Sequence, residues 1–187
     1  MSGFADYDQY DALGLADLVR RRKVTPTELL DAAIERVEAR NPIVNAVTMK
    51  LYDLARRTID AGLPEGPFTG VPYLMKDLTS AIAGVPMTRG SRFFADTPPA
   101  VADSEHVTRL KRAGLVIFGR ENTCELGLSL TCEPQLHGAT KNPWAMSLMT
   151  AVSLLLVGSR RTTMIGAPSR TIKSDRNSGG GRRSTLM

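Results

Sequence analysis

Two short apolar runs, Val71-Pro72-Tyr73-Leu74-Met75 and Leu115-Val116-Ile117-Phe118, constrain the fold of this chain more than any other feature. Each is followed by a polar residue or a glycine, and each has the length of a strand buried on both faces. Between them lies a helical pattern, with Asp103 as its cap, Ser104, Val107, Leu110 and Ala113 along it, and Gly114 closing it. A strand, a long connection containing a helix and a second strand predict a parallel α/β sheet, because parallel neighbours need such a crossover. Ligands of α/β sheets sit beyond the carboxyl ends of the strands, and that is where Lys76 falls.

The N-terminal third reads as helical. Thr25-Pro26-Thr27-Glu28 combines a capping threonine, a proline at the first helical position and a glutamate three residues after the cap. Leu29, Leu30, Ala33, Ile34 and Val37 then recur at helical spacing, opposite Asp31, Glu35, Arg36 and Arg40, until Asn41-Pro42 is expected to end the helix. The stretches 11–22 and 49–61 read as two further amphipathic helices, and 62–67 as a Gly/Pro-rich break.

Composition removes several function classes. With 187 residues, 42% of them hydrophobic and 23% charged, the chain suits a globular domain. The longest apolar stretch, 148–157, is interrupted by Thr150 and Ser153 and falls short of the ~20 residues of a membrane span. The acidic, polar start MSGFADYDQYDALG lacks the basic and apolar regions of a secretory signal. Cys124 and Cys132 are too few for a disulfide scaffold, so a reducing cytoplasm is the expected setting.

The net charge of +5 is unevenly spread. From Ser147 onward seven basic residues face one acid, Asp175, whereas residues 1–146 hold 17 basic and 18 acidic residues. A near-neutral body argues against a nucleic-acid face built into the fold, and the tail has no aromatic residues to stack on bases. Residues 158–187 are rich in Ser, Thr, Arg and Gly with little apolar periodicity, the composition of a disordered segment. Gly179-Gly180-Gly181 has neither a preceding strand nor a following Lys-Ser or Lys-Thr, so it is not a phosphate loop. Cys124, Cys132, His106 and His137 show no recognised ligand or nucleophile spacing and read as structural.

By itself, Lys76-Asp77 is compatible with an ordinary surface ion pair. Its surroundings are more specific. Gly66-Pro67, Gly70-Val71-Pro72 and Lys76-Asp77 together resemble a segment of the amidase signature family. Thr25 to Leu30, Asn41-Pro42 and Asn45-Ala46-Val47 resemble that family's N-terminal helices, and Gly84 through Gly90-Ser91 its loop after the lysine strand. Asp103-Ser104, Leu110 to Gly114 and Gly119 to Gly127 are similar to its next helix, strand and turn, and Gly138 to Trp144 to the segment before its serine-rich loop. The resemblance covers residues ~10–146.

The resemblance implies an α/β fold in which N-terminal helices precede the first strands of a mixed, largely parallel sheet, here an incomplete amidase-signature fold. It also implies amide hydrolysis by a serine nucleophile, a second serine preceded by a cis peptide bond, and a lysine, for which Lys76 is the matching residue. Such a lysine acts as a neutral amine, drawing a proton through the bridging serine. The expected partner is a small amide, with no cofactor or metal.

After Trp144 the chain departs from the family pattern. Ala145 to Leu154 replaces the glycine-serine-rich stretch, and glycine is absent between Gly138 and Gly158. Neither family serine can be carried over; Ser153 and Ser178 are candidates by position alone. The expected organisation is therefore an amidase-like part, 1–146, and a divergent basic tail, 147–187, of the kind a shifted reading frame produces, leaving a truncated and inactive hydrolase. The alternative is a non-enzymatic scaffold whose basic tail binds an acidic partner.

Overall fold

The computed structural model describes residues 4–149. Ser153, Ser178 and most of the basic tail lie outside them. Helix α1 (Ala12–Arg20) is capped by Asp11, which accepts from Gly14 N at 2.8 Å. Helix α2 (Pro26–Val44) begins with the expected reciprocal cap: Thr25 Oγ1 accepts from Glu28 N, and Thr25 N donates to Glu28 Oε2 at 2.7 Å.

Asn41-Pro42 does not end α2. The helix continues to Val44 and stops at Asn45, which adopts φ 53°. The side chain of Asn41 has another use: its Oδ1 accepts from Ala46 N and Val47 N, while its Nδ2 donates to Val47 O at 2.8 Å. That clamp turns the chain into strand β1 (Val47–Lys50), where the sequence pattern suggested a helix from Met49. Helix α3 accordingly starts later, spanning Tyr52–Asp60.

Strands β2 (Pro72–Lys76) and β3 (Val116–Glu121) are parallel, with the helix α4 (Glu105–Arg112) between them in sequence. Ser104, rather than Asp103, caps α4, accepting from Val107 N. Asp103 instead accepts from Ala83 N at 2.8 Å and from Lys111 Nζ at 2.6 Å, tying the loop after β2 to α4. The sheet order is β1-β3-β2, with β1 antiparallel to β3, so the sheet is mixed. Strands β4 (Lys141–Asn142) and β5 (Ala145–Met149) form a separate antiparallel pair.

Both faces of the three-stranded sheet are covered, as its apolar strands require. Leu29, Leu30 and Val37 of α2 and Ala55 of α3 share one cluster with Leu74, Val116 and Phe118. Val107 of α4 shares the other with Met75, Ile82, Val85 and Ile117. Large apolar side chains remain exposed at Phe93, Val101, Leu128, Leu130 and Trp144.

The β2/β3 register is interrupted: Tyr73 pairs with Ile117 but Leu74 pairs with Gly119, so Phe118 bulges. The bulge changes the phase of β3, placing Arg120 opposite Met75 and Glu121 opposite Lys76. Gly119 is required there, since a Cβ would lie 2.8 Å from Leu74 Cδ2 and 3.1 Å from Met49 O. Substitution Gly119→Ala is expected to cost about 1–3 kcal/mol through overpacking. Urea unfolding of the two chains checks this, and an unchanged midpoint would contradict the close approach.

Candidate active site

Lys76 is the last residue of β2, and the next side chain, Asp77, faces a buried charge partner. Alternation along the strand puts Lys76 on the face opposite Met75 and Asp77. Lys76 is half-buried, and its Nζ donates to the carbonyl oxygen of Asn122 at 2.7 Å. Asn122 follows directly on β3, so the Lys76 side chain bridges the carboxyl ends of the two parallel strands. Its acceptor is held firmly: Asn122 Nδ2 donates to Gly138 O and to Thr140 Oγ1, both at 2.9 Å, and Asn122 Oδ1 accepts from Thr123 N. Thr140 Oγ1 in turn donates to Asn45 O, connecting this strand end to the end of α2.

Asp77 does not form a surface pair with Lys76. It is buried, and its Oδ1 lies 3.4 Å from Nη1 of Arg120, a guanidinium with 0% exposure. Arg120 also donates to two backbone carbonyls, Lys76 O at 3.4 Å and Ser80 O at 3.0 Å. Burial pulls Arg120 below its ordinary pKa, and the negative charge of Asp77 pulls it back. Asp77 Oδ2 accepts from the amide and the hydroxyl of Thr88, at 3.1 and 2.6 Å.

The Thr88 hydroxyl has one proton, which it gives to Asp77. His137 Nε2, 3.2 Å from the same oxygen, must therefore donate to it, and so must Gly90 N at 3.3 Å. This places a proton on Nε2 of His137. The other histidine, His106, places Nδ1 2.8 Å from the hydroxyl of the buried Ser80. Cys124 and Cys132 are both free thiols. Burial raises Cys132 above its ordinary value, against the opposing influence of the neighbouring Thr140 hydroxyl and of Lys76. Among the described residues no group of three or more His, Cys, Asp or Glu side chains could hold a metal ion, and no helix is long and apolar enough to cross a membrane.

The sequence pattern marked Lys76 but not Arg120, Thr88 or Asn122. The signal was present in β3, where every residue is buried and an arginine therefore needs an anion. Thr88 carries no comparable signal, because its loop geometry is set only after folding.

Comparison with known proteins gives the family. The family model described as Amidase matches residues 28–153. The 6-aminohexanoate-cyclic-dimer hydrolase of Pseudomonas sp. (strain NK87) is 44% identical over 135 residues, 72% of this chain and 27% of that protein. The lipoamidase of Enterococcus faecalis is 39% identical over 141 residues, 75% of this chain and 19% of that protein. Among solved structures, 6-aminohexanoate cyclic dimer hydrolase superposes with a TM-score of 0.69 at 42% identity, over 73% of this chain and 28% of the other. A bacterial aryl acylamidase of the amidase signature family does so with a TM-score of 0.72 at 30% identity, over 78% of this chain and 31% of the other. The chain belongs to the amidase family, a family of amide-bond hydrolases. It spans about a quarter of the length of the curated relatives it matches.

Burial lowers the His137 pKa from its ordinary value of 6.5, outweighing the charge of Asp77. The unfolded chain then binds the proton more readily than the folded one, so this contribution is complete above about 6.5 and is lost as pH falls toward the lower folded value. Stability measured by urea unfolding is expected to decline across that window, with a shallower decline in His137→Gln. Equal slopes in both chains would contradict the buried neutral imidazole.

Proposed function

We propose that residues ~10–146 are the lysine-bearing part of an amide hydrolase, with Lys76 as the base of serine acyl-enzyme chemistry. The observation that carries this reading is the position of Lys76: half-buried, at the carboxyl end of a parallel strand, with Nζ held 2.7 Å from Asn122 O. In this chemistry a neutral Lys76 amine withdraws a proton through a bridging serine, and the nucleophilic serine attacks the amide carbonyl. Backbone N–H groups stabilise the oxyanion, and water then releases the acyl group.

The substrate is a small amide, and the relatives' names supply the first candidates: the 6-aminohexanoate cyclic dimer and aryl acylamides. No nucleic acid, cofactor or metal enters the scheme. The setting is cytoplasmic, in keeping with the two free thiols. The residues after Trp144 lack the glycine-serine text that carries both family serines. Residues 147–187 are accordingly read as a divergent basic tail, and these 187 residues by themselves as inactive in amide hydrolysis.

The test is hydrolysis of an amide panel containing those two classes by the purified chain and by Lys76→Ala, together with labelling by a fluorophosphonate. The expected result is no turnover and no label in either protein. Turnover that depends on Lys76, with label on Ser153, Ser178 or another serine, would contradict the inactive assignment and identify the nucleophile.

A further inference from the structure

We propose that the buried Asp77–Arg120 pair is a positioning device for Lys76, acting from the opposite face of the sheet; the inference rests on the reading of Lys76 as the catalytic base. Arg120 and Asp77 have side-chain exposures of 0% and 3%. A buried ion pair is a weak source of stability, since desolvating the two charges offsets much of their attraction. Its geometry points to another use.

The guanidinium bridges three oxygens at the end of β2 and in the segment leaving it, donating to two carbonyls and pairing with one carboxylate oxygen. Nη1 lies 3.4 Å from both Lys76 O and Asp77 Oδ1, and Nη2 lies 3.0 Å from Ser80 O. The Lys76 carbonyl is part of the backbone from which the lysine side chain springs, so Arg120 holds the base at its root. Asp77 N donates to Glu121 O at 3.3 Å, joining the same two strand ends through the main chain.

Two residues beyond Arg120, Asn122 presents the carbonyl oxygen that accepts from Lys76 Nζ. Thus β3 and the residue that follows it contact Lys76 twice, with the Arg120 side chain at its backbone on one face and the Asn122 carbonyl at its Nζ near the other. The bulge at Phe118 and the missing side chain of Gly119 set the phase that makes both contacts possible. Thr88 completes the device. Its amide and hydroxyl fix Asp77 Oδ2, and the hydroxyl accepts from His137 Nε2 and Gly90 N, so the carboxylate cannot rotate away from Arg120.

A purely structural pair and a positioning pair differ in one respect. Removing both charges leaves no orphaned buried ion, so a stability role is largely relieved in the double variant Asp77→Asn/Arg120→Leu. The hold on the Lys76 and Ser80 carbonyls is not restored. The readout is the rate at which Lys76 is acetylated by a small amine-reactive ester, relative to the other lysines of the same full chain, with peptide mapping by mass spectrometry. It needs no catalytic turnover, so it stands apart from the outcome of the amide panel.

In the double variant, Lys76 acetylation is expected to rise about tenfold, the equivalent of losing one hydrogen bond to a charged group. The urea midpoint should match or exceed that of Asp77→Asn alone. Thr88→Val, which keeps both charges, is expected to raise the rate about threefold by freeing one oxygen of Asp77. This second variant keeps the test open if the double variant does not fold. Lys76 rates within about twofold of the native chain in whichever of these variants fold would overturn the proposal and leave the pair a structural role.

Discussion

An arginine with no exposed surface lies at the carboxyl end of the sheet, and its charge governs how that end is built. Removing Arg120 from water requires an anion, and Asp77 provides it 3.4 Å away. Asp77 directly follows β2, and the bulge of β3 at Phe118, beside a glycine, puts Arg120 opposite Met75, two positions before Asp77. The remaining polar contacts follow in sequence: Thr88 holds the carboxylate, His137 donates to Thr88, and the Ser80 carbonyl accepts from the guanidinium. Breaking one half of such a pair typically costs about 3–5 kcal/mol, because the other charge is left buried alone.

Hydrophobic burial determines where this network can form. The three helices α1 to α3 cover one face of the sheet and α4 the other, leaving the carboxyl ends of the parallel strands as the place where polar groups converge. Lys76 and Asn122 meet there. The site is polar because main-chain hydrogen bonding ends where the strands end, and side chains must satisfy what remains.

Much of this was legible in the sequence because it depends on local pattern. The Thr25-Glu28 cap, the two parallel strands and the location of Lys76 follow from spacing and residue type. The misreadings arose where a side chain takes up a distant role. Asn41 carries α2 past the expected stop and bonds to β1, so Val47–Lys50 becomes a strand despite its place in a helical region. Asp103 leaves the cap of α4 to Ser104 and binds Ala83 and Lys111. Lys76-Asp77 looked like a surface pair because adjacent opposite charges are common, whereas the true partner of Asp77 lies 43 positions along the chain. In each case tertiary contacts outweigh the local preference that the pattern reports.

The most direct measurement is a graft. In the 6-aminohexanoate-cyclic-dimer hydrolase of Pseudomonas sp. (strain NK87), the 135-residue stretch matching this chain would be replaced by the corresponding residues of the chain, with hydrolysis of the cyclic dimer as the readout. If these residues hold Lys76 as a working base, the chimera hydrolyses the dimer, and Lys76→Ala lowers its kcat by about 10²–10⁴-fold, the contribution of a positioned acid or base. A folded chimera that is inactive, or one whose activity survives Lys76→Ala, would contradict the assignment.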